Sequence, residues 1–498
     1  MTITIANSIS GDSRPRGLAP LCVGAATYLL LLLAVDSLLH DPDTLWQIKV
    51  GQWILAHGTV PYTDVYSFTR QGEVWLSTSW LSQVLFATTY AQWGWTGPVV
   101  LTSIAIASTT AILFALLERH LSRTHALLFC LLAVVLAAPH LLARPHVLAM
   151  PVMVAWSGAL MAAADRSKTP SLLLLPLMAL WANLHGGFVL GLALIGPIGL
   201  EALESAAPER RLALALRWAI FGLAALAASC CTPYGWHSLE ASARILDLGE
   251  SFRFIAEWRS ADFSHLGPFA AALLGLVGLA YYRGLTLSAP RILLILLAVW
   301  MALSHVRSIE TFGILVPLVL AKPLAERREP ASSEPVDATR SGWSPLTALA
   351  AVAILIVACV STSVDAARHA FTFSNAPVAA VDLLIARKAE RVFNSYGFGG
   401  YLIARDVKPF VDGRSELYGE KFLTDFFAAE DAHDVKGLLR MLDDYRIDAT
   451  LLTSDAPAAQ LLDHIPGWTR LYADKVAVIH VRSDAGQTNA ATAAEMSK

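Results

Sequence analysis

Residues 97–117 read GPVVLTSIAIASTTAILFALL, a run without a single charged side chain. A helix of roughly 20 mostly apolar residues is long enough to cross the hydrocarbon core of a bilayer. Similar runs recur along the chain and predict about eleven transmembrane helices, near residues 19–39, 97–117, 125–143, 147–164, 171–184, 187–204, 212–231, 265–282, 288–304, 308–321 and 345–363. The sequence therefore predicts a mainly α-helical, polytopic membrane bundle.

The composition supports this fold class and excludes others. Of the 498 residues, 55% are hydrophobic and only 15% are charged, whereas about 25% of the residues of a soluble globular protein are charged. This deficit excludes an ordinary soluble enzyme and a disordered scaffold, and the chain has no basic stripe for nucleic acid. The five cysteines lack the spacing of a metal site, so we expect small buried hydrophobic side chains.

The distribution of Lys and Arg among the loops predicts the orientation. With the first apolar run kept as a membrane anchor and the N-terminus in the cytoplasm, basic residues favour the inner loops by roughly two to one. This orientation predicts a multi-pass protein of the bacterial inner membrane whose C-terminal part is periplasmic.

The polar segments divide the chain into three parts. Residues 1–364 are expected to form the transmembrane domain, with a long first outer loop at 40–96 and a Pro/Ser-rich inner linker at 322–344. Residues 365–485 are expected to form an α/β domain, and residues 486–498 a disordered tail. In the α/β domain, the patterns predict strands at 391–394, 408–411, 449–453 and 476–481, and helices at 377–389, 434–445 and 457–463.

The first outer loop holds two carboxylates where the first apolar run ends. Asp43 or Thr44 is a plausible N-cap of an amphipathic helix that continues to Gly58, and a second such helix is predicted at 80–93. Both helices are rich in aromatic residues and are expected to lie in the headgroup plane. Asp41 and Asp43 would then face a partly dehydrated medium, which raises a carboxyl pKa. The alternative is that Asp43 only caps the helix and that Asp41 is solvated.

The same loop carries a recognisable motif, Asp43-Thr-Leu-Trp followed by Trp53-Ile-Leu-Ala-His-Gly58 and Pro61-Tyr-Thr-Asp64-Val-Tyr-Ser-Phe68. It resembles the first-loop signature of GT-C membrane glycosyltransferases, which include aminoarabinose transferases and protein O-mannosyltransferases, and it is most similar to the Rgt-type branch. The resemblance implies a polyprenyl-phosphate sugar donor, inversion at the sugar, Asp43 as general base, and Asp41 or Asp64 as an orienting acid. Thr44 stands where the classical enzymes have a Glu.

Further polar residues interrupt apolar runs at turns on the predicted outer side. Arg144 and Arg307 could bind a phosphate through their guanidinium groups, and His185 could donate a hydrogen bond to it. Alternatively, the two arginines snorkel to headgroups and His185 closes a tight hairpin. Glu257 lies in the same set of turns. No metal is required, although Asp41 and Asp43 could hold a divalent cation with a lipid phosphate.

Two glycine-containing strings mark the α/β domain. The glycines of residues 392–402 are spaced like a turn between two strands, and they match no nucleotide-binding pattern. Asp412 and Arg414 flank Gly413 after a predicted strand, where they could bind a sugar or pair with each other.

Together, these features predict a membrane glycosyltransferase that moves a sugar from a polyprenyl-phosphate donor to a hydroxyl of a glycan or lipid acceptor at the outer face of the membrane. The expected partners are the donor, the acceptor and membrane lipids, and no nucleic acid. The alternative is a non-catalytic membrane subunit or a binder of lipid-linked sugars with the same fold. A transporter fits less well, because no pair of interrupted helices is predicted at the bilayer midplane.

Overall fold

The computed structural model describes residues 18–244, 249, 253–326 and 376–483. The predicted run at 345–363, most of the linker and the predicted tail at 486–498 lie outside the described residues. Before residue 327 the regular elements of the described chain are all helices. Its helices are α1 Ala19–Leu33, α2 Val35–Leu38, α3 Asp43–His57, α4 Trp80–Trp93, α5 Thr96–Leu117, α6 Arg123–Ala137, α7 Pro145–Ala164, α8 Leu175–Leu184, α9 Phe188–Ala193, α10 Ile195–Glu204, α11 Pro208–Ser229, α12 His237–Arg244, α13 Pro268–Arg283, α14 Ala289–Ser304 and α15 Ile309–Glu326.

The apolar helices match the predicted runs in position. Within the described residues, five helical stretches are long and apolar enough to cross a membrane, namely Thr96–Leu117, Arg123–His140, Pro145–Ala164, Pro208–Ser229 and Val306–Glu326. Four more are apolar but shorter: Ala19–Leu33, Leu172–Leu184, Pro268–Arg283 and Ala289–Ser304. The predicted run at 187–204 consists of two successive helices, α9 and α10. The fold is therefore a helical bundle with the composition of a membrane protein.

Small and hydroxylated residues let helices α1 and α5 approach closely. A Cβ atom at Gly24 would lie 3.0 Å from the carbonyl oxygen of Ala107 on the facing helix. One turn further along, the hydroxyl of Thr110 donates to the hydroxyl of Thr27 at 3.1 Å. Close backbone approach and hydrogen bonds between helices are how bundles associate in lipid, where the hydrophobic effect does not drive packing.

One end of the bundle is closed by a buried set of charges. Arg291 donates from Nη2 to Asp165 at 2.5 Å and from Nε to Glu201 at 2.7 Å, and its Nη1 donates to the carbonyl of Val319. Lys322 lies 3.5 Å from Asp165. These contacts join α10, α14, α15 and the residue that follows α7. We call this end of the bundle the clasp end and the other end the site end.

We expect Arg291→Met to destabilise the bundle strongly. The substitution leaves Asp165 and Glu201 buried without their main cation, and breaking a buried pair in this way costs about 3–5 kcal/mol. Thermal unfolding of the purified protein in detergent measures the effect. Arg217→Met is the matched control, because Arg217 is exposed on α11. A transition unchanged by Arg291→Met would show that the clasp does not stabilise the bundle.

The two predicted helices of the first loop are present as α3 and α4, and they pack tightly against each other. A Cβ atom at Gly51 of α3 would lie only 2.0 Å from the carbonyl oxygen of Gln83 on α4, so only glycine allows this approach. The amide of Gln83 also donates to Gln47 at 2.8 Å. The first loop is therefore a folded unit.

Residues 376–483 form a small α/β unit, which we call the C-terminal region. Its strands are β1 Val392–Asn394, β2 Ala449–Thr453, β3 Trp468–Ala473 and β4 Ala477–Arg482, in the order β1-β2-β4-β3. Strands β1 and β2 are parallel, and the other two pairings are antiparallel. The helices are α16 Val378–Ala386, α17 Gly399–Ala404, α18 Ser415–Glu430, α19 Val435–Asp444 and α20 Pro457–Leu462.

The sequence patterns of this region were interpreted correctly in part. Three of the four predicted strands are present, but residues 408–411 make only an isolated bridge between Pro409 and Val392. The predicted turn between two strands at 392–402 is wrong, because Gly399 starts helix α17. Strand β3 was not predicted; it is an edge strand of mostly exposed and intermediate residues, without the alternation that marks a half-buried strand.

Candidate functional site

The acidic motif at the start of α3 is held in place by its own first carboxylate. Asp41 accepts a hydrogen bond from the backbone N–H of Asp43 at 2.8 Å, so its side chain satisfies the first N–H of the helix. Pro42 occupies the N-cap position, and Asp43 is the first helical residue. The alternative in which Asp43 caps the helix and Asp41 is solvated is therefore wrong, since the side chain of Asp41 is only 9% exposed.

Arg144 is brought to this motif by the turn that starts α7. It has extended backbone geometry immediately before Pro145, which is the first residue of the helix. The preceding carbonyl, of Ala143, accepts a hydrogen bond from the buried hydroxyl of Thr44 at 3.0 Å. This hydrogen bond joins the turn to the acidic motif, because Thr44 follows Asp43 and Ala143 precedes Arg144.

Three carboxylates share the guanidinium of Arg144. Its Nη2 contacts Asp43 at 2.7 Å and also Asp41, while its Nη1 contacts Glu257 at 2.7 Å. All four side chains are largely buried, with 9–27% of their surface exposed. We call these four residues the acidic cluster. Carboxylates occupy both Nη atoms of Arg144 in the structure. The phosphate-binding role expected for Arg144 stays a prediction.

Burial and nearby charges give Asp43 and Glu257 very different pKa values. Burial raises the pKa of Asp43 to about 7, and the nearby charges of Asp41 and Glu257 raise it further, against the lowering effect of Arg144. Burial opposes ionisation of Glu257 as well, yet Arg144 and Arg307 hold its pKa at about 2. A carboxyl with the pKa of Asp43 takes up and releases a proton near neutral pH.

Glu257 is the member of the acidic cluster that local sequence patterns do not identify as a candidate site residue. It lies on a short 3-10 helix, Ala256–Trp258, between α12 and α13. In the sequence it appeared only as a polar residue in a long loop. Its position against Arg144 depends on a contact across 113 residues of chain, which no local pattern encodes.

Arg307 has a different environment from Arg144. Its guanidinium lies over the ring of Trp258 at 4.5 Å, and its charge acts on Glu257. Among the described residues, Arg307 has no carboxylate within ion-pair distance. Of the two arginines predicted to bind phosphate, Arg307 is the one whose hydrogen-bond donors are not taken up by acids.

His185 lies close to Arg307 at the end of α8. Its Nδ1 accepts a hydrogen bond from the backbone N–H of Gly187 at 3.0 Å, which leaves Nε2 as the protonated, donating nitrogen. Burial, with a further contribution from Arg307, lowers the pKa of His185 to about 3, so the ring is neutral at pH 7. His185 is therefore a neutral ring with a protonated Nε2, and its role as a donor to a phosphate stays a prediction.

His146 and Glu310 are two further polar residues of the site, and both lie in the first turn of a helix. The ring of His146 lies 6.1 Å from that of His185, and its Nε2 lies 3.6 Å from Glu310. Within the described chain, three buried polar atoms here have no hydrogen-bond partner: Nε of Arg144, Nε2 of His140 and Oε2 of Glu310. Buried polar atoms are nearly always hydrogen-bonded, so this part of the site has unused capacity for a polar ligand.

Asp64 lies in a separate, fully buried ion pair. Its Oδ1 accepts from Nη1 of Arg414 at 2.6 Å, and its Oδ2 accepts from the hydroxyl of Ser67 at the same distance. Arg414 is paired with Asp412 at 2.7 Å as well, which confirms the alternative that Asp412 and Arg414 pair with each other. The structure places Asp64 apart from the acidic cluster, where it connects the first loop to the C-terminal region.

The described residues offer no ready-made metal site. No group of three or more His, Cys, Asp or Glu side chains in that part of the chain is arranged to hold a metal ion. The carboxylates that come together at the motif do so around a guanidinium. The cation suggested for Asp41 and Asp43 therefore stays a sequence-based expectation.

Comparison with known proteins gives structural neighbours only. No protein-family model matches the chain, and no curated protein matches its sequence. Two structures of the Archaeoglobus fulgidus oligosaccharyltransferase are similar to it. The first, AglB in complex with an inhibitory peptide and a dolichol-phosphate, has a TM-score of 0.48 and 10% identity over 88% of this chain and 69% of that chain. The second, a complex with Zn and sulfate, has a TM-score of 0.48 and 11% identity over 87% and 68%.

A third neighbour is ArnT from Cupriavidus metallidurans bound to undecaprenyl phosphate, with a TM-score of 0.31 and 13% identity over 93% of this chain and 98% of that chain. These neighbours are GT-C superfamily members. With TM-scores below 0.5 the alignments assign no residue role here, so function has to be inferred from the contacts of the site itself.

We expect Arg414→Met to separate the first loop from the C-terminal region. The change leaves Asp64 and Asp412 buried without their cation, at a cost of about 3–5 kcal/mol. Hydrogen exchange should then increase together in the first-loop segment around Asp64 and in the loop around Asp412. The control is Arg440→Met, since the Arg440 side chain is 72% exposed. Unchanged protection in either segment would contradict a connecting role for Arg414.

Proposed function

We propose that this chain is a membrane glycosyltransferase in which Asp43 is the general base for transfer of a sugar from a polyprenyl-phosphate donor to an acceptor hydroxyl. The observation that carries the proposal is the acidic cluster, in which three carboxylates share one guanidinium and one of them titrates near pH 7. A base with this pKa accepts a proton efficiently at neutral pH.

The proposed step is a direct displacement. The acceptor oxygen attacks the anomeric carbon of the donor sugar, and the bond from that carbon to the phosphate oxygen breaks, which inverts the configuration. The hydroxyl proton passes to Asp43, and the lipid phosphate leaves as an anion. Asp41 and Glu257 keep Arg144 in place, and Arg144 in turn orients Asp43.

Arg307 and His185 are suited to the departing phosphate. Arg307 supplies a positive charge with donors that no described carboxylate occupies, and neutral His185 supplies an N–H donor. Groups placed in advance where charge develops are an efficient way to lower a barrier, because they need no reorganisation during the reaction. The donor class itself is the one that the first-loop motif implies.

In this assignment Asp64 is a positioning residue. Its carboxylate is completely enclosed and hydrogen-bonded, so it has no free face for an acceptor. It fixes the first loop relative to Arg414 and thereby the start of α3. We propose Arg144 and Asp64 as residues that shape the site, and Asp43, Arg307 and His185 as residues that contact the substrates.

One observation favours the alternative of a non-catalytic binder of lipid-linked sugars. Thr44, at the position of the second acid in the resembling enzymes, is fully buried and donates to Ala143. That position therefore cannot supply a second carboxylate. A binder needs Arg307 and His185 but not a base, which gives the two functions different mutational signatures.

We expect Asp43→Asn to reduce turnover by about a hundredfold or more, the range lost with a general base. The amide keeps the size of the side chain but cannot accept the proton. The measurement uses the purified protein in liposomes with lipid-linked sugars extracted from the host cell, and it follows the release of free polyprenyl phosphate by mass spectrometry. This product is the same for every sugar and every acceptor.

The control for this change is Asp425→Asn, an exposed carboxylate of the C-terminal region. If Arg307→Gln abolishes binding of undecaprenyl phosphate while Asp43→Asn releases polyprenyl phosphate at the wild-type rate, Asp43 is not the base. If wild-type protein binds the lipid but releases none, the binder is the correct function.

The activity should depend on pH through Asp43. Burial raises the pKa of this base to about 7, so turnover should increase with pH through neutrality and fall about tenfold per unit in the acidic range below the pKa. Glu257→Gln should move the acidic limb to lower pH, because it removes a negative charge near Asp43 and leaves Arg144 more available to it. Glu240→Gln, at an exposed position, should leave the profile unchanged. A flat profile in the wild type would contradict a base with this pKa.

A further inference from the structure

The C-terminal region touches the carboxylate of Asp43 through a backbone position. A Cβ atom at Gly413 would lie 2.5 Å from Oδ1 of Asp43 and 2.9 Å from its Oδ2. Real Cβ atoms do not approach so closely, so a side chain at position 413 would force the carboxylate of Asp43 to move. The loop that contains Gly413 is therefore the surface of the C-terminal region that faces the proposed base.

Two successive glycines repeat this close fit beside it. A Cβ atom at Gly400 would lie 2.8 Å from the carbonyl oxygen of Pro42, and one at Gly399 would lie 2.3 Å from that of Val411. The start of helix α17 is thus inserted between the acidic motif and the loop before Gly413. Two glycines of this region, Gly400 and Gly413, thus contact two adjacent residues of the first loop, Pro42 and Asp43.

The loop around Gly413 is rigidly supported. Its neighbours Asp412 and Arg414 are fully buried, and the hydroxyl of Tyr418 donates to Asp412 at 2.7 Å. The guanidinium of Arg414 also lies over the ring of Trp75 at 4.7 Å. These contacts fix the distance between Gly413 and Asp43.

A pair of hydroxyl groups lies beside the same loop. The hydroxyls of Tyr396 and Ser415 are 2.7 Å apart, and either one can be the donor. Tyr396 is close enough to the cluster that, after burial, the charge of Asp43 is the main cause of its raised pKa. One hydroxyl proton of the pair remains free to donate to a third group, and both oxygens can accept.

We propose that the C-terminal region forms one wall of the acceptor pocket, in which Gly413 limits the size of the group that reaches Asp43 and the Tyr396–Ser415 pair binds a second hydroxyl of the acceptor. The acceptor class is therefore a polyhydroxylated molecule such as a sugar of a growing glycan. This inference rests on the proposed function and adds the acceptor side of the same site.

Chemical labelling of Asp43 tests, without any substrate, whether Gly413 controls access to this carboxyl. A water-soluble carbodiimide with glycine ethyl ester reacts with protonated carboxyls, and Asp43 should be labelled at pH 6 in the full-length protein. Gly413→Ala places a methyl group against Oδ1, so we expect loss of the label at Asp43. Gly397→Ala is the matched control, because a Cβ atom there meets nothing within 4 Å. The exposed Asp425 serves as the internal reference for labelling.

A second pair of variants covers the case in which alanine at position 413 disturbs the fold. Asp43→Cys with Gly413→Cys should form a disulfide under mild oxidation, whereas Asp43→Cys with Gly397→Cys should not. Three results would each contradict the proposed contact between Gly413 and Asp43. They are an unlabelled Asp43 in the wild type, full labelling of Asp43 in Gly413→Ala, and no disulfide between Cys residues at positions 43 and 413.

The hydroxyl pair is tested in the transfer assay. Tyr396→Phe should reduce transfer to the acceptor while hydrolysis of the donor by water persists, since water does not need the second hydrogen bond. An unchanged ratio of transfer to hydrolysis would overturn this part of the proposal. Absence of any turnover in the wild type would instead overturn the proposed function, and the labelling results are independent of it.

Discussion

The site depends on one constraint, that three carboxylates are buried around a single guanidinium. Arg144 contacts Asp41, Asp43 and Glu257 together. One positive charge cannot stabilise three buried negative charges equally, because like charges at short range disfavour joint ionisation. Glu257 has the further help of Arg307 and stays ionised, and Asp43 is the carboxyl whose pKa rises to about 7. The surplus of acid is thus what produces a group that can accept a proton at neutral pH.

The clasp end of the bundle shows what a purely structural arrangement of the same residue types looks like. There, Arg291 and Lys322 face Asp165 and Glu201, so positive and negative charges are equal in number. The site end holds more acids than bases, and it also holds polar atoms without partners. Both sets of charges connect helix ends. Only the set at the site end has more acidic than basic groups and lies beside buried polar atoms without hydrogen-bond partners among the described residues. This contrast is the physical reason for assigning function to one end.

The sequence predicted the elements well and their contacts poorly. Apolar runs identified the membrane helices, and the motif around Asp43 identified the first loop, because both signals are local in the chain. The partners of Arg144 were not predictable, since Asp43 and Glu257 are 101 and 113 residues away from it. The role of Asp64 was obscured for the same reason, because Arg414 lies 350 residues further along. Glycines were misinterpreted as turn formers where their actual role is to permit close contact with another segment.

Glu257 connects Asp43 and Arg307, the residues assigned to the two halves of the proposed reaction. Glu257 pairs directly with Arg144, which holds Asp43, and it also feels the charge of Arg307. As the bond to the phosphate breaks, negative charge develops on the leaving oxygen near Arg307 and partly neutralises that cation. In the proposed reaction Glu257 then experiences less net positive charge. Glu257 and Arg144 thus connect the leaving group to the base in the proposed mechanism.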